Sequence, residues 1–196
     1  MHVYLCDFLL DITQNSIEAG ATLVEVEISE AFDEMRFTIT DNGKGMSREV
    51  MEKALDPFYT DGVKHSRRKV GLGLPFLKQS SKSFELQSQP GKGTTVRFSF
   101  DLTDMDTPPV GDMAGTMLAL FNCCPESCNL VFRRKRESSK GELDYTISRE
   151  DLIDALGELR TAGSLSLARE FLQSQEDSLS EIEEDHVLKI PAKENL

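Results

Sequence analysis

The segment DITQNSIEAGAT, residues 11–22, gives one helix two tasks. Asp11, Asn15 and Glu18 fall at offsets 0, 4 and 7, which stacks their side chains on one helical face. Leu5, Phe8, Leu9 and Ile12 form a separate apolar stripe of the kind that packs on a core. The pattern predicts a helix over residues 3–19 that stops at Gly20, a left-handed cap. A polar stripe on such a helix faces either water or a ligand, and the segments downstream bear on which.

Those segments alternate strand and helix signals. TLVEVEISE sets Val24, Val26 and Ile28 against acids, and MRFTIT repeats the period with Met35, Phe37 and Ile39, which predicts a hairpin. SREVMEKAL opens on Ser47 as a helix cap. DPFYTDGVKHSRRKVGLGL has no sustained period and reads as a loop, followed by a helix that carries Pro75 in its first turn. FELQSQPGKGTTVRFSFDL reads as strand, Pro-Gly-Lys-Gly turn and strand. TDMDTPPVGD then reads as a linker. Beyond it, MAGTMLALFNCC suits a helix, and NLVFRRKRES with GELDYTIS suits a hairpin. SREDLIDALGELR suits a helix capped by the Ser148–Asp151 pair.

Charge divides the chain near residue 103. Residues 1–103 hold 15 acids and 12 bases, a net of −3, and residues 104–196 hold 19 acids and 10 bases, a net of −9. We therefore expect a domain over 1–103, a linker over 104–112, a small α+β domain over 113–172 and an acidic, mobile tail over 173–196. The total of −12 argues against nucleic acid as a partner, because phosphate affinity needs clustered Lys and Arg. No apolar run is long enough to span a membrane and no leader is evident, so a cytoplasmic protein is expected. Cys6, Cys123, Cys124 and Cys128 lack paired metal-ligand spacing and read as reduced structural thiols, with a metal site at CCPESC as the alternative.

Four motifs carry chemistry. DNGKGM, 41–46, ends a strand with Asp41 and allows close backbone approach at Gly43 and Gly45. The carboxylate can accept from an exocyclic amine such as that of adenine, although a tight turn alone also explains the pattern. VGLGL, 70–74, opens a helix with glycines, a ready phosphate site, but Gly-x-Gly is common. Lys64, His65, Arg67, Arg68 and Lys69 precede it, as an anion clamp or as a solvated loop. On the first helix, Asn15 offers a neutral hard oxygen suited to magnesium, and Asp11 one turn earlier can orient or deprotonate water. GKGTT, 91–95, is the fourth.

In this order and spacing the four motifs resemble the GHKL superfamily of gyrase-type topoisomerases, heat-shock chaperone ATPases, histidine kinases and MutL-type proteins. The resemblance covers residues 1–103. It implies an α+β two-layer sandwich, the Bergerat ATP-binding fold, with a small α+β C-terminal unit appended. It also implies ATP and Mg2+ as cofactors. Asn15 matches the magnesium-binding Asn, and Asp11 stands where many members carry a water-activating Glu. Asp41 matches the adenine-reading Asp, with Gly43, Gly45 and Met46 shaping the pocket. Lys69, Gly71, Gly73 and Leu74 match the phosphate side, Thr94 or Thr95 the Thr near adenine, and residues 58–69 the lid.

NSIEAGAT and DNGKGM look closest to the MutL and topoisomerase style, GLGLPFLKQ and GKGTTVRFSF to the histidine-kinase style. Only His2 precedes the motif helix, so the phosphoacceptor arrangement of a complete histidine kinase is missing from this sequence. The expected function is a stand-alone kinase or slow ATPase acting on a separate regulatory protein. The alternative is a non-catalytic nucleotide-sensing or ATP-switch subunit of a larger complex. A protein partner is expected through the C-terminal unit, and a homodimer is compatible with the sequence.

Overall fold

The structure, a computed structural model, describes residues 3–57, 73–138 and 141–180. Helix α1 (Leu5–Glu18) is followed by β1 (Leu23–Glu30), β2 (Glu34–Asp41), α2 (Arg48–Ala54), α3 (Gly73–Ser80), β3 (Ser83–Gln89) and β4 (Gly93–Asp101). The second half adds α4 (Met113–Cys123), β5 (Asn129–Ser138), β6 (Gly141–Ser148), α5 (Arg149–Leu156) and α6 (Ala162–Ser180). The six strands form one sheet in the order β3-β4-β2-β1-β5-β6. Every pairing is antiparallel except β1 with β5, which is parallel.

The period-2 pattern explains the layering. Val24, Val26 and Ile28 of β1, Met35, Phe37 and Ile39 of β2, and Leu130 and Phe132 of β5 are all buried on one face. The α1 stripe of Leu5, Phe8, Leu9 and Ile12 belongs to the same core. Stacked Phe37 and Phe98, with ring centroids 4.8 Å apart, join β2 to β4; such pairs add about 1 kcal/mol beyond their burial. Glu25 and Glu27 of β1 fall on the opposite face, where Arg133 pairs with both at 2.8 and 3.0 Å. Helices on one face and polar ladders on the other make an α+β two-layer sandwich.

Both ends of α1 are closed by identifiable groups. The Asp7 carboxylate accepts from the backbone N–H of Val3 and Tyr4 at 2.7 and 3.0 Å. Leu5 and Cys6 N–H donate to the carbonyls of Pro109 and Val110, 3.0 Å each. Two of the four N–H groups that a helix start leaves unpaired are thus satisfied by the segment expected as a linker. At the other end Gly20 adopts φ +77°, the left-handed cap conformation.

The charge break near residue 103 is not a break in the core. Strand β5 continues the sheet beside β1, in register from Leu23–Asn129 to Glu30–Arg136. Met117, Leu120 and Phe121 of α4 lie in the same buried cluster as α1, and Phe121 meets Phe132 edge-on at 5.3 Å. Residues 113–172, expected as a small separate domain, therefore share one sheet and one core with residues 1–103. Residues 173–180, expected in the mobile tail, form the last turns of α6, because Leu172 and Leu179 are buried and Glu176 hydrogen-bonds the Tyr145 hydroxyl. Residues 181–196 lie outside the described residues. No described helix is long and apolar enough to cross a membrane.

Candidate functional site

The turn after β2 is built from backbone contacts that a side chain would block. Asp41 is buried at 6% exposure, and its Oδ1 accepts from Gly43 N–H at 2.8 Å. A Cβ on Gly43 would stand 3.0 Å from the Ala19 Cβ, the Ala19 carbonyl oxygen and Asp41 Oδ1. Gly45 has φ +60°, and a Cβ there would meet the Gln89 carbonyl oxygen at 1.9 Å. Lys44 N–H donates to the Ala19 carbonyl at 3.1 Å and the Lys44 carbonyl accepts from Gly91 N–H at 2.7 Å. The DNGKGM turn is thus clamped between the end of α1 and the Pro-Gly-Lys-Gly turn.

Register separates the two threonines. Asp41 pairs with Thr94 and Thr40 with Thr95. Successive strand residues point to opposite faces, so Thr94 shares the face of Asp41 and Thr95 does not. Thr95 Oγ1 instead meets Thr40 Oγ1 at 3.3 Å. A cavity of about 520 Å³ is lined by Asp41, Ser88, Gly93 and Thr94, by Thr40 and Thr95 as well, and by Met51 of α2 and Lys92 of the turn.

A second group of residues lies along α1. Asp11 is half-buried beside the start of α3, where a Cβ on Gly73 would lie 3.4 Å from Asp11 Oδ2. Asn15, one turn on, is exposed, and Ala19, one turn further, meets Gly43. One face of the helix therefore joins Gly73 to the Asp41 turn through Asn15, over eight residues or about 12 Å at 1.5 Å per residue. Asp11 and Asn15 do not line the cavity. Leu74 of α3 packs half-buried against the core, and the Met46 N–H donates to Ser88 Oγ at 2.8 Å. Lys69 and Gly71, with the expected lid over 58–69, lie outside the described residues.

The donor set tests the magnesium expectation. An amide oxygen at Asn15 and a carboxylate at Asp11 are hard oxygen donors one turn apart. Magnesium takes few such protein ligands and completes its shell with phosphates and water, so the residues present fit it. The buried thiols do not compete: burial pushes Cys6 up to about 11 and Cys124 up to about 12 and raises Cys128 as well, while Cys123 is exposed. Among the described residues no group of three or more His, Cys, Asp or Glu side chains is placed to hold a metal ion.

Two residues important to the site's geometry escaped the sequence reading. Asn42 accepts from Thr22 and Leu23 N–H at 2.8 and 3.0 Å and donates to Thr22 Oγ1, which ties the turn to β1. Ser88 contacts Met46, Gly93 and Thr94 through one hydroxyl. An Asn directly after a strand is a known turn former and signals its role weakly. Ser88 becomes visible only once the hairpin register pairs it with Thr94.

The chain is similar in sequence and in fold to known proteins. An anti-sigma F factor of Clostridium perfringens (strain SM101 / Type A) is 31% identical over 96 residues, covering 49% of this chain and 57% of the relative. The sensor histidine kinase YxdK of Bacillus subtilis (strain 168) is 33% identical over 72 residues, 34% of this chain and 22% of the relative. The chain thus spans less than two thirds of either protein. Among solved structures, the N-terminal domain of a DNA repair protein superposes with a TM-score of 0.55 at 15% identity, over 84% of this chain and 59% of that one. That likeness concerns the fold, and it extends past residue 103. The family model for histidine kinase-, DNA gyrase B- and HSP90-like ATPases matches residues 3–104, which hold α1, the Asp41 turn and the β3–β4 hairpin. With just over half its length matched, the chain belongs to this ATPase family.

Proposed function

We propose that the chain binds ATP with Mg2+ along this face of α1 and delivers the terminal phosphoryl group to a separate regulatory protein, or slowly to water. The observation that carries the reading is the single helical face that joins Gly73 and Asp11 at one end to Gly43 and Asp41 at the other. Its span of about 12 Å suits a nucleotide lying lengthwise. Asp41 reads the base amine with Thr94, while Gly43, Gly45 and Met46 shape the pocket around it. Asn15 holds the magnesium, which when bound neutralises phosphate charge. Gly73 and Leu74, with Lys69 and Gly71, cradle the phosphates. Asp11 orients the attacking group and takes its proton. The relatives named as an anti-sigma factor and a sensor histidine kinase favour a protein partner, for which the C-terminal strands and α5–α6 offer a surface.

One residue favours a second reading. Asp11 is one methylene shorter than Glu, and a misplacement of about 1 Å can slow chemistry on the order of a hundredfold. A chain that senses ATP without turning it over is consistent with that shortened reach. The test is single-turnover phosphate release from ATP with magnesium. Asp11→Asn is expected to keep ATP affinity and abolish release, and Asn15→Ala to weaken magnesium-dependent binding about tenfold. Binding and release unchanged in both variants would overturn the site. ATP binding without release in the wild type selects the sensing reading or a partner that supplies the acceptor, and phosphoryl transfer to co-purified partners separates these.

A further inference from the structure

The hydroxyl of Ser88 sits among three polar groups at the base end of the cavity. Met46 N–H lies 2.8 Å away, the Gly93 carbonyl oxygen 3.0 Å and Thr94 Oγ1 2.9 Å. A backbone N–H can only donate and a carbonyl can only accept, while a serine hydroxyl has one proton and two lone pairs. Only one arrangement of protons makes all three contacts hydrogen bonds. Met46 N–H donates to Ser88, Ser88 donates to the Gly93 carbonyl, and Thr94 donates to Ser88.

The position of Thr94 gives this arrangement its consequence. Ser88, Thr94 and Asp41 are register partners on adjacent strands, a row of three side chains on one face. All three line the cavity. With its only proton committed to Ser88, Thr94 offers the cavity lone pairs alone. Asp41, whose Oδ1 accepts from Gly43 N–H, lines the cavity as a carboxylate and so is an acceptor as well. We infer that Ser88 is a specificity-determining positioning residue: by fixing the Thr94 proton it makes the Asp41–Thr94 pair an acceptor-only end, set apart from the donors of Gln87, Gln89 and Lys92 that also line the cavity. Such an end accepts the exocyclic amine of a 6-aminopurine and repels the carbonyl of a 6-oxopurine. An unmatched buried polar group is what gives sites of this kind their discrimination.

The inference rests on the ATP reading, with Asp41 toward the base. It is tested by equilibrium binding of ADP and of inosine diphosphate, which differ at the 6-position, to the full chain. The wild type is expected to prefer ADP. In Ser88→Ala the Thr94 hydroxyl is free to turn and donate, so ADP weakens, inosine diphosphate tightens, and the preference falls about tenfold. Ser88→Thr, which keeps a hydroxyl, restores the preference. Thr94→Val removes one acceptor at equal shape and also lowers the preference, which covers the case of a Ser88→Ala protein that fails to fold. A preference unchanged in Ser88→Ala, or both nucleotides weakened by the same factor, overturns the inference and leaves ATP binding intact. A wild type that binds neither nucleotide overturns the ATP reading and this inference with it.

Discussion

An added Cβ at Gly93 would lie 1.9 Å from the Asp41 carbonyl oxygen, on a backbone already at φ +95°. At Gly91, two residues earlier in the same turn, φ is +73° and nothing lies within 4 Å of the added atom. The pair separates conformational strain from collision. Gly91→Ala carries only the left-handed penalty, about 1 kcal/mol. Gly93→Ala adds overpacking against backbone that cannot turn aside, for a total of about 3 kcal/mol. Urea unfolding of the two variants reads the difference directly as midpoints at constant slope. Equal midpoints would show that the β3–β4 turn yields freely, and the close packing of Gly93 on Asp41 could not then fix the Asp41 turn.

At the scale of elements, Asp112 shows how α4 is held. Its side chain caps the helix by accepting from Gly115 N–H at 2.8 Å and pairs with Arg169 of α6 at 2.8 Å. The Arg169 hydrogen bond first, and the Gly115 N–H second, hold its carboxyl below the ordinary value of 3.8. A depressed folded value means that the contribution is complete above about pH 4 and is lost as pH falls through the folded value. Both side chains are about half exposed, so the ion pair itself adds little and the cap dominates. Asp112→Ala is expected to lose about 1 kcal/mol at pH 7, a fall of roughly 3 °C in melting temperature. Melting at pH 7 and near pH 3 checks the sign, since a gap that widens in acid contradicts it. Elements whose cues are local were legible in the sequence: the stripe and Gly20 for α1, alternation for β1 and β2, the Ser148–Asp151 capping box for α5. Helix α6 was not, because Ser, Gln and Glu dominate it and its buried Ala168, Leu172 and Leu179 are sparse. What orders its end is tertiary: Glu176 meets both the Tyr145 hydroxyl and Arg134. The site divides likewise. Glycines that permit a turn announce the Asp41–Gly43 turn, whereas the contacts of Ser88 and the sharing of one face by Thr94 and Asp41 depend on register.

The whole molecule is organised by the parallel seam between β1 and β5. The net charge of the sequence changes sharply near residue 103, but burial follows the sheet, and a composition break says nothing about which strands pair. The seam is closed by more than backbone. Buried Arg134 of β5 pairs with Glu30 of β1 and with Glu176 of α6, so the carboxylate partners come from both halves of the chain. Removing residues 113–180 from the core would uncover Val24, Val26 and Ile28 along one side, strand out the β1 edge and take α4 from α1. A local opening of the C-terminal half therefore has no cheap boundary, and the two halves are expected to unfold as one cooperative unit. Native-state hydrogen exchange decides this: the slowest amides of β2 and of β5 should converge on a single opening free energy as urea rises. Values that stay apart by more than about 2 kcal/mol would mean two separable units. A cooperative result has a functional corollary, since β1 also receives the Asn42 clamp at Thr22 and Leu23. Anything that binds the C-terminal strands and stabilises the seam would then hold the Asp41 turn as well, and nucleotide binding should in return slow exchange in β5.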